Sequence, residues 1–127
     1  MPLVRFDLAQ TLPPERVAAL TDALHTALVE TCAVPEADRF HIVTRHAPDG
    51  LMLDATFPNI PRSAAASVVQ VTFRAGRSVD QKRALYRRFA DLAEAAGHRR
   101  EDLLVVLTEN TSPDWSFGNG IAQYAAE

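Results

Sequence analysis

The chain has 127 residues, 47% of them hydrophobic, and a formal net charge of -3. This size and composition are typical of one globular domain, so we treat residues 1–127 as a single domain. Thirteen basic against sixteen acidic residues give no electrostatic footprint for nucleic acid or anionic membranes. No apolar run is long enough to cross a membrane, and the amino terminus lacks a signal-peptide core. We therefore expect a cytoplasmic protein with neither kind of partner.

The first half of the sequence predicts a β-α-β unit over about residues 2–46. Apolar side chains alternate over residues 2–8, which is the period of a half-buried strand. Pro13 and the proline after it fit the first turn of a helix, and apolar residues then recur at helical spacing until Pro35 ends the helix. A second strand is predicted over residues 39–45.

The second half of the sequence repeats this plan. An alternating strand over residues 69–73 precedes a helix that begins with a capping box formed by Ser78 and Gln81. That helix ends at Gly97, and an apolar strand follows over residues 103–107. The repetition suggests that the two halves arose by duplication.

These elements predict an α/β (α+β) fold in which units 2–46 and 67–110 form a four-stranded mixed sheet. Both helices cover one face of that sheet, and residues 111–127 form a tail that contributes to a pocket or an oligomer contact. The other face would stay bare unless a second subunit covered it, which favours a closed homo-oligomer. We assign three residues to this bare face: Val4, Val69 and Val71.

Pro2 is the first candidate catalytic residue. Methionine before proline is commonly trimmed, which would leave a secondary amine at the chain terminus. An α-amino group has an unperturbed pKa of roughly 7.7 to 8.0, so its surroundings decide whether it acts as a base or as an acid. The alternative is a second-position proline without any role.

Arg74 and Arg77 lie where the third strand turns into the second helix. Guanidinium groups beside the amino end of a helix suit a carboxylate, and antiparallel first strands would bring Pro2 close to Arg74. Asp38, at the entrance to the second strand, could orient a water or pair with a cationic Pro2. The alternatives are two solvated arginines and an ordinary turn aspartate.

Trp115 and Phe117 lie in a glycine-flanked loop near the end of the chain. Such a loop can wall a pocket, or the two rings can dock the tail onto the core or a neighbour. The four histidines lack metal-ligand spacing, and Cys32 has no second cysteine to pair with. We therefore predict neither a metal site nor a disulfide.

Four stretches of the sequence together resemble the tautomerase superfamily, and within it the malonate semialdehyde decarboxylases. The resemblance covers nearly the whole chain, and its last stretch is the most specific. The four stretches are Pro2-Leu3-Val4; Val34 to Phe40; Gly76-Arg77-Ser78 with Gln81-Lys82; and Glu109-Asn110 leading to Asp114-Trp115-Ser116-Phe117-Gly118.

The resemblance implies a homotrimer that decarboxylates a small 3-oxo acid such as malonate semialdehyde without a cofactor, with possible hydratase activity. Pro2 would be a cation that polarises or condenses with the aldehyde, Arg74 and Arg77 would hold the carboxylate, and Asp38 would position a proton or water. The apolar wall of the pocket would be built by three aromatic residues: Trp115, Phe117 and Tyr124.

Arg74 and Arg77 depart from the pattern of these decarboxylases, whose arginines lie one residue closer together. The longer spacing is also found in other members of the superfamily. Two further readings therefore stay open. One is a keto-enol tautomerase of the phenylpyruvate type, in which a neutral Pro2 moves the proton, and the other is a noncatalytic trimeric binding module.

Overall fold

The computed structural model describes residues 1–125, so the last two residues of the predicted tail lie outside the described residues. Six regular elements follow one another in the order strand, helix, strand, strand, helix, strand, with short 3-10 helices at Arg100–Asp102 and Ser112–Asp114. The six elements are β1 (Pro2–Ala9), α1 (Pro14–Cys32), β2 (Phe40–His46), β3 (Ser67–Arg74), α2 (Val79–Ala95) and β4 (Leu103–Asn110).

The ends of α1 follow from its local sequence. Pro14 occupies the first turn, where a missing N–H costs nothing. At the other end Ala33 adopts a left-handed conformation with φ 56°, and its N–H donates to the carbonyl of Leu28. The helix therefore ends at Cys32, three residues before the proline that we expected to end it.

The predicted capping box at the start of α2 is confirmed. The Ser78 hydroxyl accepts a hydrogen bond from the Gln81 main-chain N–H at 3.1 Å, and the Gln81 side chain accepts one from the Ser78 N–H at 2.9 Å. Gly97 lies just beyond the helix with φ 95°, as the sequence predicts. No helix within residues 1–125 has the length and apolar character needed to span a membrane.

The predicted fold class is confirmed. The strand order is β2-β1-β3-β4, with β1 parallel to β2, β3 parallel to β4, and β1 antiparallel to β3. The two β-α-β units therefore join through their first strands, and Pro2 lies opposite Phe73 across that junction.

The core lies between the sheet and the two helices, and it contains the residues that we had assigned to the bare face. Val4, Val69 and Val71 are fully buried in this core, so that assignment was wrong. Side chains alternate between faces along a strand, and the set that packs on the helices is fully apolar in β1 and, apart from Ser67, in β3.

The open face of the sheet carries the alternate set of side chains. Its centre is polar, with Arg5 beside Gln70, and the apolar residues lie around that centre. The register of the strands places five aliphatic residues on this face: Leu3, Ile42, Val68, Leu104 and Val106. Within residues 1–125 neither helix covers this face, and the segment with Leu53 and Phe57 lies beside Leu104. The predicted open face with apolar patches therefore exists, but its side chains are those one residue along each strand from the ones that we assigned to it.

Candidate active site

The strand directions bring most of the predicted site residues to one end of the sheet. β1 and β2 begin at this end, whereas β3 and β4 finish there. Pro2 pairs with Phe73, Arg74 is the next residue along β3, and Asn110 pairs with Arg74 from β4. The amino terminus, the predicted carboxylate-binding arginines and the start of the tail therefore share one neighbourhood.

The chain terminus makes an ion pair with Asp38. The ammonium nitrogen of Met1 lies 2.7 Å from Oδ2 of Asp38, whose side chain is 17% exposed. One residue spans at most about 3.6 Å, so the nitrogen of Pro2 lies within about 6 Å of the same carboxylate. Removal of Met1 would leave the secondary amine of Pro2 beside a mostly buried anion.

The loop that carries Asp38 is held by several contacts. Val34 is 2% exposed and belongs to the core. The ring Nε2 of His25 lies 2.7 Å from the carbonyl oxygen of Glu36, and the N–H of Asp38 donates to the Pro35 carbonyl at 3.0 Å. The position of the carboxylate is therefore fixed by the core on one side and by the turn on the other.

The two predicted arginines have different surroundings. Arg74 is exposed, and Nη1 donates one long hydrogen bond to the hydroxyl of Ser112 at 3.4 Å. Arg77 is half-buried and donates to the main-chain carbonyls of Cys32 and Arg74, with its guanidinium carbon 4.8 Å from the centre of the Phe73 ring. Both charges lie near Pro2, since Phe73 is the strand partner of that residue.

The tail places an aromatic cluster, defined here as Phe40, Trp115, Phe117 and Tyr124, at this end of the sheet. The rings of Trp115 and Phe117 are stacked, with centroids 5.6 Å apart and planes at 10°. Phe117 also contacts Phe40 at 5.6 Å and meets Tyr124 edge-on at 5.8 Å. Since Phe117 is 39% exposed and Tyr124 is 42% exposed, the cluster presents an apolar surface to solvent.

Side-chain hydrogen bonds help to hold the tail in place. The indole Nε1 of Trp115 donates to the side-chain oxygen of Asn110 at 2.6 Å. The Asp114 carboxylate accepts hydrogen bonds from the N–H and hydroxyl of Thr111, and these bonds lower the pKa of Asp114. Further along, the Gln123 amide bridges the Phe117 N–H and the Gly118 carbonyl.

Glu109 and Lys82, both present in the family-like stretches, form an ion pair beside the arginines. The Lys82 ammonium lies 2.9 Å from Oε1 of Glu109, and this hydrogen bond lowers the pKa of the Glu109 carboxyl. The two charges neutralise each other. The positive charge of this region is therefore left mainly with Arg74 and Arg77.

The structure thus brings Pro2, Asp38, Arg74 and Arg77 to one end of the sheet and joins the three predicted aromatic residues into one cluster. Sequence reasoning missed Phe40, Asn110 and Ser112 as parts of this neighbourhood. Phe40 could have been found, because an aromatic residue at the start of the strand beside β1 must lie near Pro2 in a parallel pair. Asn110 lies in one of the stretches that resemble the family but received no role there, and Ser112 gave no comparable signal.

The structure also has a cavity that lies apart from this site. A cavity of about 240 Å³ opens at the other end of the sheet, where its lining includes Ala9, His46 and Ser63 but none of the predicted site residues. Within residues 1–125, no group of three or more acidic, histidine or cysteine side chains is placed to hold a metal ion.

Comparison with known proteins identifies the family. Family models described as "Tautomerase enzyme" match residues 38–118 and residues 2–56. The chain is similar to "Probable tautomerase YrdN" of Bacillus subtilis strain 168, with 35% identity over 98% of this chain and 96% of the relative.

Solved structures agree with this result. A malonate semialdehyde decarboxylase inhibited by 3-bromopropiolate superposes with a TM-score of 0.92 at 35% identity, covering 98% of this chain and 95% of the other. A fused 4-OT, described as a wild-type symmetric trimer, gives a TM-score of 0.77 at 27% identity, and the match covers 98% of this chain and 99% of the other. This chain therefore belongs to the tautomerase family of enzymes.

Proposed function

We propose that this enzyme decarboxylates a small 3-oxo acid, with malonate semialdehyde as the substrate, and that the amine of Pro2 is its catalytic group. The observation that carries this proposal is the 2.7 Å ion pair between the chain terminus and Asp38, at the sheet end that also holds Arg74 and the aromatic cluster. Similarity to a malonate semialdehyde decarboxylase supports the choice of substrate.

Asp38 favours the cationic form of the Pro2 amine, because a nearby anion stabilises an ammonium. Arg74 binds the substrate carboxylate and places the aldehyde beside this cation. The bond between the carboxylate and the central carbon then breaks, and its electron pair forms an enolate as carbon dioxide leaves. The ammonium donates a hydrogen bond to the enolate oxygen, and one proton from water adds to the carbon to give acetaldehyde.

Pro2 can act by a second route that uses the same residues. The ammonium loses a proton to water, the neutral amine adds to the aldehyde, and loss of water gives an iminium that accepts the electron pair when carbon dioxide departs. The resulting enamine is protonated on carbon, and its hydrolysis releases acetaldehyde and frees Pro2. In both routes the aromatic cluster would exclude water from the carboxylate, which favours loss of a charged group as a neutral gas. Borohydride added during turnover traps only the iminium route, as a covalent adduct seen by intact mass.

The alternative activity is keto-enol tautomerisation, in which a neutral Pro2 moves a proton. It is favoured by similarity to a probable tautomerase and by the longer spacing of the arginines. The deciding experiment follows malonate semialdehyde and phenylenolpyruvate in parallel by NMR, without added metal or cofactor. Acetaldehyde formation supports our proposal, whereas efficient ketonisation without decarboxylation replaces it with the tautomerase reading.

We also propose that the enzyme is a homotrimer. Ile42 and Val106 on the open sheet face are exposed in the single chain, and a fused 4-OT of the same fold is described as a trimer. Light scattering at micromolar concentration should give about three times the mass of one chain. A monomer under these conditions would contradict the assembly.

Substitution of Arg74 tests the carboxylate-binding role. Arg74 is exposed and makes one long hydrogen bond, so Arg74→Ala should leave the free energy of unfolding nearly unchanged. We expect kcat/KM for the 3-oxo acid to fall by at least about tenfold, since a charge-assisted contact to the carboxylate is lost. Steady-state kinetics with wild-type values in this variant would remove Arg74 from the site.

A further inference from the structure

The guanidinium of Arg77 uses three of its five N–H groups within its own chain. Nε and Nη2 donate to the main-chain oxygen of Cys32 at 3.3 and 3.2 Å, and Nη1 donates to the main-chain oxygen of Arg74 at 2.8 Å. Its carbon lies 4.8 Å from the centre of the Phe73 ring. Each of the three nitrogens therefore already donates to a carbonyl, and one face of the guanidinium lies on an aromatic ring.

These carbonyls lie at the ends of two elements that lead to the site. Cys32 is the last residue of α1, where carbonyls lack helical partners and the helix dipole favours a cation. Only five residues separate Cys32 from Asp38. Arg74 is the last residue of β3, so the bond to its carbonyl fixes the strand end from which its own side chain extends.

From this arrangement we propose that Arg77 is a positioning residue. It fixes the end of α1, which leads to Asp38, and the end of β3, which carries Arg74, so that both side chains are correctly placed beside the Pro2 amine. Arg74, whose guanidinium makes one 3.4 Å contact, to Ser112, within residues 1–125, then supplies the charge that binds the substrate carboxylate. This inference rests on the proposed use of Pro2, Asp38 and Arg74, and it divides two roles that the sequence assigns equally to both arginines.

Arg77→Lys separates geometry from charge. It keeps the positive charge, but a single ammonium cannot reproduce the planar fork that joins two carbonyls. We expect kcat to fall by about tenfold while KM stays within about threefold, because the catalytic groups are misplaced and the carboxylate-binding charge remains. Arg74→Ala should show the opposite pattern, with a larger change in KM than in kcat.

The pH profile gives a readout that a purely structural role would not change. If Asp38 moves away from the amine, the ammonium loses a stabilising anion, and the midpoint assigned to Pro2 should shift to lower pH by about half a unit or more. The other charged or titratable groups at this end include Arg74, the Lys82–Glu109 pair, Asp114, Arg39 and His25, and Arg77→Lys leaves their charges unchanged. The midpoint shifts to lower pH whether Pro2 acts as an acid or as a base.

The experiment measures kcat, KM, the pH profile and inhibition by malonate for wild type, Arg77→Lys, Arg77→Ala and Arg74→Ala. Arg83→Ala is the matched control, since Arg83 lies on the same helix and its one ion pair within residues 1–125 is an exposed contact to Asp80 at 3.7 Å. We expect malonate inhibition to weaken by at least about tenfold in Arg74→Ala and by less than threefold in Arg77→Lys. Thermal unfolding of each variant checks that it is folded.

Two results would overturn the inference. One is malonate inhibition weakened as much in Arg77→Lys as in Arg74→Ala, which would make Arg77 a direct ligand of the carboxylate. The other is an unchanged kcat and pH midpoint in Arg77→Lys. The same measurements can be made with phenylenolpyruvate, so failure of the wild type to decarboxylate a 3-oxo acid contradicts the proposed function and still leaves Arg77 tested.

Discussion

Protein that retains Met1 should be at least about 10²-fold less active than protein that has lost it, because general acid–base catalysis by the amine contributes about that much. With Met1 attached, the nitrogen of Pro2 belongs to an amide and can be neither acid, base nor nucleophile. The ammonium of Met1 occupies the contact with Asp38 instead, at 2.7 Å. Intact mass shows which form is present, and kinetics on each form give the ratio.

Pro2→Ala is the companion variant in this test. It keeps an α-amino group once Met1 is removed, but it replaces a secondary amine by a primary one and deletes a ring that is fully buried. We therefore expect an intermediate loss in kcat/KM of at least about tenfold. Equal activity of the trimmed wild type, the Met1-retaining form and Pro2→Ala would show that Pro2 is not the catalytic group.

The secondary structure is predicted well where an element has both an apolar periodicity and a residue that marks its start or end. α2, for example, has an apolar stripe as well as a capping box at Ser78 and a left-handed glycine at Gly97. Helix α1 shows the limit of such signals. It ends at Cys32 because Ala33 adopts a left-handed conformation, and alanine carries no preference for that conformation.

The faces of the sheet were harder to predict. Both sides of β3 and β4 carry apolar residues, so alternation alone does not say which set packs on the helices. Val4 and Val71 were assigned to the wrong face, although the continuous apolar set in β1 favours burial. The open face keeps apolar residues as well, which is the pattern expected when a second subunit covers it.

The site was predictable where it depended on strand direction and unpredictable where it depended on side-chain contacts. Antiparallel first strands place Pro2 beside the end of β3, as expected. The different roles that we propose for Arg74 and Arg77 could not be predicted from the sequence. They depend on which guanidinium reaches the carbonyl of Cys32, which is 45 residues before Arg77 in the chain. The contact of Phe40 with Phe117 is likewise a tertiary one.

A charge placed on the open face should dissociate the proposed trimer. Val106 lies on this face in β4 and is 43% exposed in the single chain. Val106→Asp should therefore cost the fold only about 1 kcal/mol, mostly through the lower strand propensity of aspartate. At an interface between subunits the same carboxylate would be buried without a partner, which costs far more.

We expect Val106→Asp to raise the dissociation constant of the oligomer by at least about 10²-fold, so that light scattering at micromolar concentration detects monomers. Val79→Asp is the control, since Val79 is 62% exposed in the first turn of α2, on the helical side, where a carboxylate is favourable. If both variants keep the wild-type mass, the open face is not the interface between subunits. If Val106→Asp alone dissociates and its activity falls with it, the site needs the neighbouring subunit.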